Sequence, residues 1–179
     1  TIAGKPGELF PENPRVDAHT FVELPQSLLR DMIQQTAFAI STDDNRKILT
    51  GGLLEIHGGE ARMVTLDGFR LAVRLSRISE DTPELSAVIP GKLLMELAKI
   101  LGDGDSMARL MFGANQLVVT MDHTRVYTAL LEGEYIKYRQ IIPANWKTRM
   151  TVNREQLSLC VDRASLMARE SKANLVKLT

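Results

Sequence analysis

A short apolar run that ends in a helix-start signal occurs three times in this chain, and a helical pattern follows each time. The instances are Phe21-Val22-Glu23-Leu24-Pro25, Ala87-Val88-Ile89-Pro90 and Met150-Thr151-Val152-Asn153. After the first two helices come three strand-like runs, so the plan is βαβββ written twice. The third helix opens the same plan again and the chain then stops, which reads as a fragment of a longer protein. The spacing is too long for a solenoid repeat. Repeated βαβββ units suggest a symmetric assembly rather than an enzyme built around one pocket.

Residues 1–19 read as a tail and linker, rich in breakers such as Lys5-Pro6-Gly7 and Pro11-Glu12-Asn13-Pro14. Pro25 suits a helix start, where its missing N–H costs nothing. Leu28, Leu29, Met32, Ile33, Thr36, Ala37 and Ile40 then share one helical face, and Ser41–Asn45 opens a polar loop. Strands are expected at Gly52–Ile56, Ala61–Leu66 and Phe69–Leu75, with a turn at Asp67-Gly68. In the last of these, Leu71, Val73 and Leu75 face one side while Arg70 and Arg74 face the other. From Pro90 a second helix buries Leu93, Leu94, Leu97, Ile100 and Leu101, and strands follow at Arg109–Phe112, Gln116–Met121 and Arg125–Leu131. In the third unit Asn153 is a good N-cap, with Gln156 placed to complete a capping box. Its apolar face holds Leu157, Cys160, Val161, Ala164, Met167 and Ala168, and Asn174–Thr179 reads as the next strand. The expected architecture is α+β, with two helices on one face of a curved antiparallel sheet whose edges must be covered or used.

Composition bears on partners and compartment. Lys+Arg and Asp+Glu are 22 each, so the net charge advertises neither nucleic acid nor membrane, and any basic surface must come from distribution. A single cysteine, Cys160, cannot form an internal disulfide, which favours a reducing, cytoplasmic setting. No apolar run approaches the length of a membrane span. His19, His57 and His123 lack metal-ligand spacing, and neither a metal nor a cofactor is expected.

Four stretches resemble one family. Leu66-Asp67-Gly68-Phe69-Arg70-Leu71-Ala72 is similar to its T-D-G-H-R-L-A motif, and Val88-Ile89-Pro90-Gly91-Lys92 and Arg163-Ala164-Ser165-Leu166-Met167 also match. Glu132-Gly133-Glu134-Tyr135 through Ile142-Pro143 is similar to D-G-x-F-P-D-Y-x-x-V-x-P. In order and spacing these resemble the bacterial sliding clamp, the beta subunit of DNA polymerase III. Residues 1–19 then correspond to the end of the first domain and a linker, 20–143 to the middle domain, and 144–179 to the start of the third. The resemblance implies a non-catalytic processivity factor for DNA replication: a head-to-tail homodimeric ring around duplex DNA. It tethers the replicative polymerase, the clamp loader and repair polymerases through their linear motifs.

The resemblance also implies sites. Basic residues at Lys92 and Lys99, about two turns apart on one helical face, and at Arg46 in a loop would make weak sliding contacts with DNA. The bland alternative is a solvated helix face, which Glu96 between the lysines supports. Leu49, Leu66, Gly68, Phe69, Arg70, Leu71, Ile136, Gln140 and Ile141 match a pocket for partner peptides between the middle and third domains. Their alternative reading is a hairpin turn and an interdomain seam. Phe69 stands where the family has a common His, Ile136 where it has Pro, and Gln140 where it has Arg, so motif preference is expected to differ. Leu166 and Met167 match a ring interface, with core packing as the rival. Two other functions remain open: a peptide-binding interaction module unrelated to replication, and an enzyme using Asp67 and Arg70. The second needs a convergent acid, base or metal ligand, and none is evident.

Overall fold

The computed structural model describes Gly4, residues 20–168 and residues 176–177. The tail expected over 1–19 (His19 included) and the strand expected over 174–179 otherwise lie outside the described residues. Val176 and Lys177 carry no regular secondary structure. The chain divides into two compact units, the first ending at Tyr138 and the second beginning at Arg139.

The first unit holds both complete repeats. The first comprises β1 (Thr20–Pro25), α1 (Gln26–Gln34), β2 (Gly51–His57), β3 (Glu60–Leu66) and β4 (Leu71–Arg77). The second comprises β5 (Leu85–Pro90), α2 (Gly91–Ile100), β6 (Met107–Phe112), β7 (Gln116–Met121) and β8 (Thr124–Ala129). The strands form two antiparallel four-stranded sheets, ordered β1-β6-β7-β8 (sheet A) and β4-β3-β2-β5 (sheet B). Each repeat therefore lends its first strand to the other repeat's sheet: β1 pairs with β6 through Val22↔Leu110, and β5 pairs with β2 through Val88↔Leu53. The helix causes the exchange, because its nine or ten residues carry the chain about 14 Å onward before the next strand begins.

Both helices lie side by side, packed on the inward faces of both sheets. Leu29, Met32 and Ile33 of α1 and Leu94 and Leu97 of α2 share a core with Leu54, Met63, Ile89, Leu110 and Val119. The single curved sheet expected from sequence is thus two sheets sharing one helical layer, bridged where Leu131 N donates to Val88 O at 2.9 Å. Gln26, 2% exposed, fastens the start of α1. Its backbone N–H donates to Ser106 O, its Oε1 accepts from Gly102 N, and its Nε2 donates to Asp122 Oδ2.

Sheet B is also covered on its far face. Leu53, Val64, Leu66 and Val88 form a second cluster there with Leu49, Tyr135 and Tyr138. The exit segment crosses this face as a strap: Tyr135 Oη donates to Val64 O at 3.4 Å, and Tyr138 Oη donates to Glu55 Oε2 at 2.6 Å. Burial pushes the Tyr135 phenol up to about 12.

Several local expectations change. The first helix ends at Gln34, not near Ile40. Thr36, fully buried, turns its hydroxyl back to Met32 O (2.7 Å), while its carbonyl accepts from Thr65 Oγ1 (2.6 Å), and a 3₁₀ turn over Ala37–Ala39 follows. The polar loop after it contains a kinked 3₁₀ segment, Asp44–Thr50. Phe69 and Arg70 precede β4 rather than begin it. Leu71, Val73 and Leu75 do share a face, but it is the far face, and Val73 and Leu75 are exposed there on an edge strand. Ile100 is 52% exposed, because Leu94, Leu97 and Leu101 already complete the buried stripe of α2.

In the second unit α3 spans Arg154–Ala168, and Asn153 Oδ1 caps it by accepting from Gln156 N at 3.1 Å. The apolar run Met150–Val152 is not a strand. No described residue of α3 is buried, and Cys160, expected in a core, is exposed because no described element covers that face.

Candidate functional site

The two repeats differ most in the link after the helix. In the second repeat it is short, Leu101–Ser106, whereas in the first it runs from Gln35 to Thr50. The longer link folds against the β3–β4 hairpin and makes a cleft of about 450 Å³ lined by Ile40, Ser41, Thr42, Asp43, Arg46, Asp67, Gly68, Phe69 and Arg70. The site therefore occupies the place where the pseudo-symmetry is broken.

Asp67 organises the hairpin. Its Oδ1 accepts from the backbone N–H groups of Phe69 and Arg70, both at 2.9 Å, and its Oδ2 accepts from Arg70 Nε and Nη2 at 2.9 and 2.7 Å. The Arg70 and Phe69 backbone N–H groups and then the Arg70 side chain hold the Asp67 carboxyl down to about 2. Gly68 sits at φ +96°, a conformation that glycine adopts without strain. The turn leaves Phe69 99% exposed. Arg70 also lies over the Phe38 ring, 6.0 Å from its centroid.

The facing wall is held in a similar way. Asp43 Oδ1 accepts from Asn45 N at 3.0 Å and Asn45 Nδ2 at 2.8 Å, and the backbone bond first, then the side-chain bond, holds its carboxyl below the usual range. Ser41 N donates to Leu49 O, and Ser41 Oγ accepts from Asp43 N. Arg46 reaches across so that its Nη1 is 3.6 Å from where a side chain on Gly68 would begin. The cleft thus pairs an exposed aromatic with two guanidinium groups, one of them already anchored on Asp67.

The predicted pocket residues separate into four places. Gly68, Phe69 and Arg70 line the cleft, while Leu49, Leu66 and Leu71 belong to the cluster on the far face of sheet B. Ile136 is exposed on the strap, and Gln140 and Ile141 belong to the second unit, both exposed. Arg46, expected with the helix lysines, lines the cleft. Lys92 and Lys99 are exposed on α2, and Lys99 Nζ pairs with Glu96 Oε1 at 2.8 Å. Leu166 and Met167 are exposed on α3. Sequence reasoning missed Phe38, Asp43 and the covering role of Tyr135 and Tyr138. An Asx-type turn at Asp43-Asp44-Asn45 was a readable signal; the others depend on long-range packing. Among the described residues, no group of three or more His, Cys, Asp or Glu is placed to hold a metal ion, and no helix is long and apolar enough to cross a membrane.

Two interlocked βαβββ repeats, with paired helices on one side of antiparallel sheets, define a domain of the DNA-clamp class. Residues 23–137 match the family described as DNA polymerase III beta subunit, central domain. The Beta sliding clamp of Bacillus subtilis (strain 168) is 35% identical over 181 aligned residues, covering 99% of this chain and 47% of that protein. The chain belongs to this family, the sliding clamps. A crystal structure of the DNA polymerase III beta chain from Streptococcus pneumoniae TIGR4 superposes with a TM-score of 0.89 at 30% identity, covering 96% of this chain and 46% of that one. A Pseudomonas aeruginosa sliding clamp bound to griselimycin superposes at 0.80 with 27% identity, covering 90% and 44%. The chain spans about half the length of the curated relatives it matches.

Proposed function

We propose that this chain is the middle domain, 20–143, and the start of the third domain, 144–179, of a DNA polymerase processivity factor. The whole protein is a non-catalytic homodimeric ring that encircles duplex DNA in the cytoplasm. It tethers the replicative polymerase, the clamp loader and repair polymerases. The observation that carries this reading is the family match across 23–137 on a fold whose two helices lie side by side. Lys92, Lys99 and Arg46 supply weak phosphate contacts. The Lys99–Glu96 pair keeps one of them feeble, as sliding requires. The Asp67–Arg70 hairpin, with the Leu49, Leu66 and Leu71 cluster behind it, receives apolar anchors of partner motifs. A Pseudomonas aeruginosa clamp of this fold is bound to griselimycin, which supports a ligand seat in the family. Leu166 and Met167, both exposed, contribute to the ring contact.

Charge reversal at both helix lysines, Lys92→Glu with Lys99→Glu, tests this in the full-length protein. The variant is expected to keep its circular dichroism spectrum while its dwell time on circular duplex DNA falls and loses part of its salt dependence. An unchanged dwell time would refute the DNA-facing role of α2.

A further inference from the structure

Sheet A turns its other face away from both helices, and that face carries a polar hollow of about 520 Å³ at the β7–β8 end. Its lining is Thr120, Asp122, His123, Arg125 and Tyr127. The strand register explains the gathering. Inward residues Leu110 and Val119 alternate with Arg109 and Thr120, so Glu23, Arg109, Thr120 and Arg125 form one cross-strand row on the far face. Tyr127 stands two residues beyond Arg125 on the same face, and His123 lies in the adjoining turn.

Two features separate this hollow from an ordinary polar surface. The Thr120 hydroxyl is buried and has no hydrogen-bond partner, although burying an unpaired hydroxyl is unfavourable. The charge along the row is also unevenly matched. Arg109 is neutralised by Glu23 at 2.7 Å and lies 5.4 Å from the Phe21 ring centroid, whereas no described residue pairs with Arg125 or His123. Asp122, the one carboxylate in the lining, already accepts from Gln26 Nε2. What remains unpaired among the described residues is a guanidinium, an imidazole, a phenol and the buried hydroxyl, which line the hollow from two strands and a turn.

The geometry points to an oxyanion site here, one that takes a tetrahedral phosphate-class group. Donors arriving from several directions suit four acceptor oxygens better than a planar carboxylate, and the Arg125 fork supplies the charge. The site is separate from the cleft at Asp67–Arg70 and does not depend on the DNA-facing role of α2.

Inorganic phosphate titrated into the isotope-labelled full chain at constant ionic strength provides the test, with acetate as the parallel arm. Phosphate is expected to give saturable amide shifts confined to Val118–Tyr127. Arg125→Gln is expected to weaken binding roughly tenfold, the scale of one charge-assisted hydrogen bond. Thr120→Val should weaken binding without lowering the melting temperature, since the hydroxyl makes no bond in the free protein. Unsaturable or scattered shifts would overturn the site, as would undiminished binding by either variant. An equal response to acetate would overturn its assignment to a tetrahedral group.

Discussion

Replacing Leu110 by alanine should loosen sheet B as much as sheet A, although Leu110 lies only in sheet A. Leu110 is 1% exposed on β6, between Val22 of β1 and Val119 of β7, and it shares a core with both helices. Removing three carbons forfeits about 2.4 kcal/mol at ~0.8 kcal/mol per methylene, and the cavity left in a rigid core raises the cost to roughly 3–4 kcal/mol. That is a large share of the ~5–15 kcal/mol that holds a domain folded. The strand exchange decides where the loss is felt. β1 sits in sheet A but leads through α1 into sheet B, and β5 sits in sheet B but leads through α2 into sheet A. Neither sheet can then open alone without pulling strands from the other. Native-state hydrogen exchange reads this directly: the most protected amides of β3, in sheet B, should exchange roughly two to three orders of magnitude faster, matching those of β7. Acceleration confined to β1, β6, β7 and β8, with β2 and β3 unchanged, would refute the interlocking argument.

Acid should act on the hairpin through Asp67. Its carboxyl is lowered from 3.8 to about 2, so its contribution is complete above 3.8 and fades as pH falls towards about 2; the Phe69 and Arg70 amide resonances should move over that window, and Asp67→Asn should abolish the movement. Base should act on the strap: Tyr135 is raised from 10.0 to about 12, so its stabilising part is complete below 10 and lost as pH climbs through 12. Ultraviolet titration should find one late-ionising phenol that Tyr135→Phe removes. Gly91→Ala should destabilise by about 1–3 kcal/mol in urea melts despite a gain in helix propensity of up to ~1 kcal/mol. The new methyl carbon would stand 2.6 Å from Thr50 O and 2.8 Å from an Ile40 methyl, and the former is backbone that cannot rotate aside.

Much of this architecture was legible because local signals agreed with tertiary demands. Pro25 and Pro90 each close a strand and precede a helix, and β1, β4 and β6 keep a period-two burial, whereas β2 and β3, covered on both faces, do not. Asp67-Gly68 marked its hairpin because only one residue type suits φ +96° without strain. Legibility ended where distant partners decided. The apolar spacing through Thr36 and Ile40 suits a longer helix, yet the hydroxyl of Thr65, far along the chain, captures the Thr36 carbonyl and the helix breaks. The Leu71, Val73, Leu75 alternation states that these residues share a face but not which one, and the answer depends on a strap that arrives some sixty residues later, at Tyr135 and Tyr138. The predicted pocket residues separated for the same reason: proximity in a motif fixes neither the face of a strand nor the unit to which a residue belongs.

The unequal links give the domain a spare mounting point. Gln35–Thr50 carries a ligand-sized recess, while its counterpart, Leu101–Ser106, is a bare connector on an equivalent frame. A protein engineer could transplant the longer link into the shorter one and obtain a second recess related to the first by the internal symmetry, with the original left intact as the reference.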